Sequence, residues 1–224
     1  MSLMCTFVVV LIVTLFSQQL KANDVQTTNT GPVTGVMESL AYNVASITDE
    51  LNLELGSKIE RTSSSLLGNM EVVIANAMSE LSTPIYEADQ KLTSGTCELD
   101  WSMNDLRKRI DGELQECTQD ISEIMQAFES DAAGITSALQ TFIDEIVNLP
   151  VVCNMLTTFS SSTNCFVNRM ADINIEIGKQ LKVASNTLLR TRQLTQSSVA
   201  AAEKCTSNMV AGTQRFLTEE MAKC

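Results

Sequence analysis

The stretch CNMLTTFSSSTNC, from Cys153 to Cys165, sets two cysteines on either side of a hydroxyl-rich segment. Three chemistries compete for such a pair: a reactive dithiol, two ligands of a metal site, or a covalent staple across the ends of two helices. A redox pair uses C-x-x-C spacing, which the chain lacks. A zinc site uses closely spaced cysteine pairs, usually with histidine, and the chain contains no histidine at all. The staple is the reading that fits, and the sequence on either side supports it.

Upstream, apolar residues form one continuous seam. Met103, Leu106, Ile110, Leu114, Cys117, Ile121 and Ile124 lead into Phe128, Ala132, Ile135, Leu139, Phe142, Ile146, Leu149 and Cys153. Every step is 3 or 4 residues, a period of about 3.57, between the straight-helix and coiled-coil values. Ser102-x-x-Asp105 predicts a capping box at its start, and Pro150 predicts its end. Downstream, a helix is expected from about Asn168 to the end of the chain. Its seam runs through Met170, Ile173, Ile177, Leu181, Ala184 and Leu188, then Thr191, Thr195, Ser198, Ala202, Cys205, Met209, Gly212 and Phe216. From Thr191 to Ser198 that seam is small and partly polar, so thinner packing is expected there.

Further upstream, Met37, Leu40, Val44, Ile47, Leu51, Leu55 and Ile59 continue into Leu66, Met70, Val73, Ala77 and Leu81. They predict a first amphipathic helix from Pro32, with a bend expected at the TSSS run of 62–65 and a stop near Thr83-Pro84. A second helical stretch is expected at or after Pro84, and Gly95 interrupts its early part. No strand-like alternation occurs, so the fold class is all-α. We expect an elongated bundle of three long helices whose last two form an antiparallel hairpin. Residues 32–96 form the N-terminal helical segment and 97–224 the stapled hairpin, packed together as one domain.

The N-terminus reads as a secretory signal over residues 1–22, with the apolar run CTFVVVLIVTLF (Cys5 to Phe16) and a cleavage position after Ala22. That run is shorter than the ~20 residues a bilayer-spanning helix needs. Residues 23–31, NDVQTTNTG, form a polar, flexible leader. Cleavage would leave 202 of the 224 residues and six cysteines: Cys97, Cys117, Cys153, Cys165, Cys205 and Cys224. An even count behind a signal favours a complete disulfide set in an oxidising, extracellular compartment.

The intervals between these cysteines are 20, 36, 12, 40 and 19 residues, nearly palindromic. In an antiparallel hairpin, residues at one height have a constant sum of numbers. Cys153 with Cys165 gives 318, Cys117 with Cys205 gives 322, and Cys97 with Cys224 gives 321. Cys117 and Cys153 on one helix would stand ~54 Å apart, whereas a disulfide needs Cα atoms within ~7 Å. The nested ladder is therefore the expected pairing. Its outermost rung is the least constrained, since Gly95 and the chain end fix neither partner.

Composition excludes several functions. Without histidine there is no Ser-His-Asp or Cys-His catalysis and no H-E-x-x-H metal chemistry. No glycine-rich phosphate loop or calcium-loop motif occurs, so no cofactor and no metal is expected. After signal removal 14 Lys and Arg face 27 Asp and Glu, a net charge of −13. That charge repels nucleic acid and anionic membranes, and no stable membrane insertion is expected after cleavage. The Arg107-Lys108-Arg109 triplet and the acids Asp111, Glu113, Glu116, Asp120 and Glu123 read as solvated helix surface. Methionines on the seams read as core filling, with an adaptable apolar groove as their functional alternative. Trp101 is expected to cap the bundle end or form a contact site, and Phe159 to fold back over the staple. No N-glycosylation sequon is present, whereas the Ser/Thr-rich tip has a composition that carries O-glycans.

The signal, the acidic helical character and Cys117, Cys153, Cys165 and Cys205 together resemble the insect secreted TsetseEP-domain family, formerly a domain of unknown function. The resemblance covers roughly Cys97 to Phe216, and the Glu-Pro repeats of the founding pattern are absent. It implies an extracellular insect protein of gut or reproductive secretions, with no established enzymatic activity. The expected function is that of a non-enzymatic secreted interaction or structural protein with an unknown protein partner. The alternative is an extracellular carrier holding a small apolar ligand or lipid between helices.

Overall fold

A computed structural model describes residues 32–95, 99–154 and 158–224. The expected signal, the leader and Cys97 lie outside the described residues. Three helices account for the fold: α1 (Pro32–Thr93), α2 (Met103–Asn154) and α3 (Phe159–Met221). Among the described residues there is no strand. At 1.5 Å per residue the 62 residues of α1 extend ~93 Å, so the bundle is a long rod.

The helices alternate in direction. At one end Met37, Ala41 and Ala45 of α1 meet Ile146, Leu149 and Cys153 of α2 and Phe166 and Met170 of α3. At the other, Leu81 and Ala88 meet Leu106 and Ile110, with Val210 and Leu217. Between them Leu66 and Val73 pack on Ile121, Phe128 and Ala202. The α2 seam reads out as expected, each of its members being buried or half-buried. Leu139, Ile146 and Cys153 are fully buried. Burying a side chain of that size contributes about 1.5–3 kcal/mol, and the repetition of such layers along the rod is what holds it together.

The start of α2 is the expected capping box. The Ser102 hydroxyl and backbone N–H both donate to Asp105 Oδ2, at 2.7 and 3.1 Å. The Asp105 N–H in turn donates to Ser102 Oγ at 3.3 Å. These bonds favour the ionised carboxylate, so the Asp105 pKa lies below its ordinary value.

Three expected boundaries are corrected. The first helix does not stop at Thr83-Pro84 but runs through Pro84 to Thr93. Proline removes the donor for the Glu80 carbonyl, and the Gln214 side chain of α3 donates to that oxygen instead, at 3.4 Å. Ile85 and Ala88 continue the buried face past the proline, so packing outweighs the lost bond. The break comes at Gly95, whose φ of +67° is the left-handed conformation that ends helices. Pro150 likewise fails to end α2, which continues for one more turn to Asn154. The third helix begins at Phe159, well before Asn168, because Thr158 caps it by accepting from the Ser161 N–H. The TSSS run is helical, as part of α1, with the Thr62 hydroxyl donating to the Lys58 carbonyl at 2.8 Å.

Candidate functional site

The two inner rungs of the cysteine ladder are present. Cys153 in the last turn of α2 bonds Cys165 in the second turn of α3, with Cα atoms 5.7 Å apart. Cys117 bonds Cys205 with Cα atoms 5.5 Å apart, across 88 residues of sequence. Cys97, and with it the expected outer rung to Cys224, lies outside the described residues. The expected seam position of Cys205 is corrected: it is exposed at the edge of the hairpin, and Thr206 takes the buried position beside it. Gly212 and Ile47 are likewise exposed rather than in their seams. Phe159 does not cover the inner staple; it is 65 % exposed. The inner cysteine pair thus ties helix to helix, and most of the hydroxyl-rich segment is the first two turns of α3.

Between the two rungs the hairpin opens into a groove of about 480 Å³ on its outer face. It coincides with the thin part of the α3 seam. Opposite Phe128 and Ile124 of α2, α3 offers Thr191 and Ser198, which fill less space than leucines would. Thr195 at the next turn satisfies its hydroxyl internally, donating to the Thr191 carbonyl at 2.7 Å.

Two i, i+4 rows make the rims of this groove, as ridges on facing helices do. On α2 the row is Glu123, Ala127 and Asp131, with Asp120 beside it. On α3 it is Asn186, Arg190, Leu194 and Ser198. Val183 and Leu194 leave apolar surface open to solvent, at 47 % and 41 % exposure. The walls therefore differ in charge: three carboxylates on α2 face a single guanidinium on α3. None of these four charged side chains forms an ion pair among the described residues. Further toward the tip, the outer face is closed by an ion pair between Arg169 of α3 and Glu145 of α2.

A second arrangement closes the opposite end of the rod. Trp101 stacks at a tilt on Phe216, ring centres 5.3 Å apart, and its indole N–H donates to Glu220 Oε2 at 3.3 Å. Arg109, paired with Glu113 at 2.8 Å, holds its guanidinium 5.3 Å from the centre of the Phe216 ring. Trp101 thus caps the bundle end, the first of its two expected roles. The Glu220 carboxyl is held below its ordinary pKa by the hydrogen bond from Lys223, with the Trp101 indole adding to it.

Among the described residues no group of three or more His, Cys, Asp or Glu side chains is placed to share a metal ion. Nor is any helix among them long and apolar enough to cross a membrane. The sequence pointed to the groove only through its run of small seam residues, and Arg190 and Asp131 carried no signal of their own. No family model matches the chain, and no curated protein or solved structure is significantly similar to it.

Proposed function

We propose that this chain is a secreted, non-enzymatic interaction protein of an extracellular fluid, a stapled rod that presents its hairpin face to a protein partner. The observation that carries the reading is the groove between two helices joined covalently at Cys117–Cys205 and Cys153–Cys165. Crosslinks of that kind suit an oxidising compartment. A groove walled by long helices is the form in which a partner helix is commonly received. The resemblance to the insect TsetseEP-domain family, carried by Cys117, Cys153, Cys165 and Cys205 with the acidic helical character, implies the same secreted setting.

The carrier reading has one observation in its favour, the apolar floor of Ile124 and Phe128. Against it, the groove is open along its length, whereas ligand pockets enclose most of a small molecule's surface. Native mass spectrometry of the full chain, secreted from insect cells, separates the two. A recurrent co-purifying lipid mass would overturn the interaction reading, and the bare polypeptide mass in every preparation supports it. The same spectrum tests secretion, since removal of residues 1–22 fixes the expected mass.

A further inference from the structure

We propose that the groove seats one amphipathic helix of a protein partner, basic along the edge that meets α2 and acidic at the point that meets Arg190. The inference rests on the interaction reading above and names the partner's chemistry. Three features of the groove lead to it.

Its rims are the first. The row from Asn186 to Ser198 covers 13 residues, ~18 Å of helix, which a partner helix of just over three turns would match. At the middle of the opposite rim stands Ala127, exposed and small, where an approaching helix meets no bulk. A helix lying between two i, i+4 rows packs in the ordinary ridge-into-groove manner and completes a four-helix cross-section. The apolar side of such a helix would cover Val183 and Leu194, which are otherwise left in water.

Charge is the second. Asp120, Glu123 and Asp131 put three carboxylates on one wall within 12 residues, and none is neutralised by an ion pair within the described residues. Glu123 is engaged by a neutral donor, Gln119 Nε2, at 2.8 Å. A wall of one sign beside an apolar floor attracts the opposite charge and discriminates against anionic amphiphiles such as fatty acids and acidic phospholipids.

Asymmetry is the third. Arg190 is the only cation lining the groove, on the wall away from the acids, and it too has no ion-pair partner among the described residues. A helix with lysines on one edge and a carboxylate on the other satisfies both walls in one direction only. Reversed end for end, it would bring like charges together. Arg190 therefore sets the polarity of the bound helix.

The test uses the full secreted chain and a fluorescein-labelled amphipathic helix of about 18 Leu and Lys residues carrying one Glu on its second edge, long enough to span the groove. Fluorescence anisotropy should show saturable binding that weakens as salt rises, and no binding of the same peptide with its lysines replaced by Glu. Ala127→Trp should weaken binding at least tenfold, as should the combined Asp120→Asn, Glu123→Gln and Asp131→Asn variant, with far-UV circular dichroism and melting unchanged. Arg190→Gln should weaken the Glu-bearing peptide several-fold while leaving an all-Leu/Lys peptide unaffected.

Binding untouched by Ala127→Trp, equal binding of the acidic peptide, preference for neutral phosphatidylcholine vesicles, or no binding of any peptide would each overturn the inference. Failure of the peptide with no lipid in the native spectrum leaves the interaction reading standing with a partner of other chemistry. A lipid in that spectrum removes the interaction reading itself.

Discussion

The carboxamide of Gln214 on α3 donates to the backbone oxygen of Glu80 on α1, 3.4 Å away, and this is the carbonyl that Pro84 leaves without its intrahelical donor. A helix of 62 residues crosses a proline because a neighbouring helix supplies part of what the proline removes. The relationship predicts a coupled pair. Pro84→Ala restores the N–H and removes the ring clash, and should stabilise the chain by about 1–3 kcal/mol. Gln214→Ala should cost about 0.5 kcal/mol in the natural chain and close to nothing in Pro84→Ala. Urea unfolding of the four chains forms the double-mutant cycle; additivity of the two changes would show that the bond does not compensate the proline.

The disulfides should differ in weight. Cys153–Cys165 closes 12 residues and Cys117–Cys205 closes 88. By loop-closure entropy, replacing the first pair with serines should cost about 3 kcal/mol and the second about 4.5 kcal/mol. Urea midpoints of the two double variants check the order. Equal losses would mean that the unfolded chain is not the loose coil this reasoning assumes.

Acid should loosen the capped end of the rod first. Asp105 and Glu220 both have pKa values below their ordinary ones, 3.8 and 4.5. A carboxylate whose folded pKa is depressed contributes stability fully above its ordinary value and loses it as pH falls through the lower folded value. Trp101, the single tryptophan, reports on that end directly. Its emission should shift to the red below pH ~4, and Glu220→Gln should flatten that transition. A Trp101 signal that moves only with global unfolding would contradict it.

The first helix should be the least protected. It carries no cysteine and is held without a covalent tie to the other two helices, while α2 and α3 are covalently joined. Amide hydrogen exchange should be faster across α1 than across the hairpin. Uniform protection would count against that expectation.

The heptad-like seam of α2 was readable because long apolar side chains recur at a helical period, and the ladder sums followed from the same geometry. Two kinds of feature escaped. Local stop signals at Pro84 and Pro150, and the hydroxyl-rich run after Thr158, were overruled by tertiary packing and by a single cap. Small residues were the other kind. Ala41, Ala45, Thr48 and Thr118 are buried, yet none stands out in a hydrophobic pattern. The threonines manage it by donating back along the helix, Thr48 to Val44 at 2.8 Å and Thr118 to Leu114 at 2.9 Å, which leaves their methyl groups to pack in the core. The groove was visible only as thin packing at Thr191 to Ser198. Its charge asymmetry emerges when two helices far apart in sequence lie side by side.

The Cys117–Cys205 bond also has a mechanical consequence. Tension that reaches Cys117 along α2 or Cys205 along α3 would cross from one helix to the other through their bond. The residues between the two cysteines, with the groove and the inner staple, would be spared that load. Shear or adhesion in a moving fluid would then strain the ends of the molecule while leaving its presented face at rest.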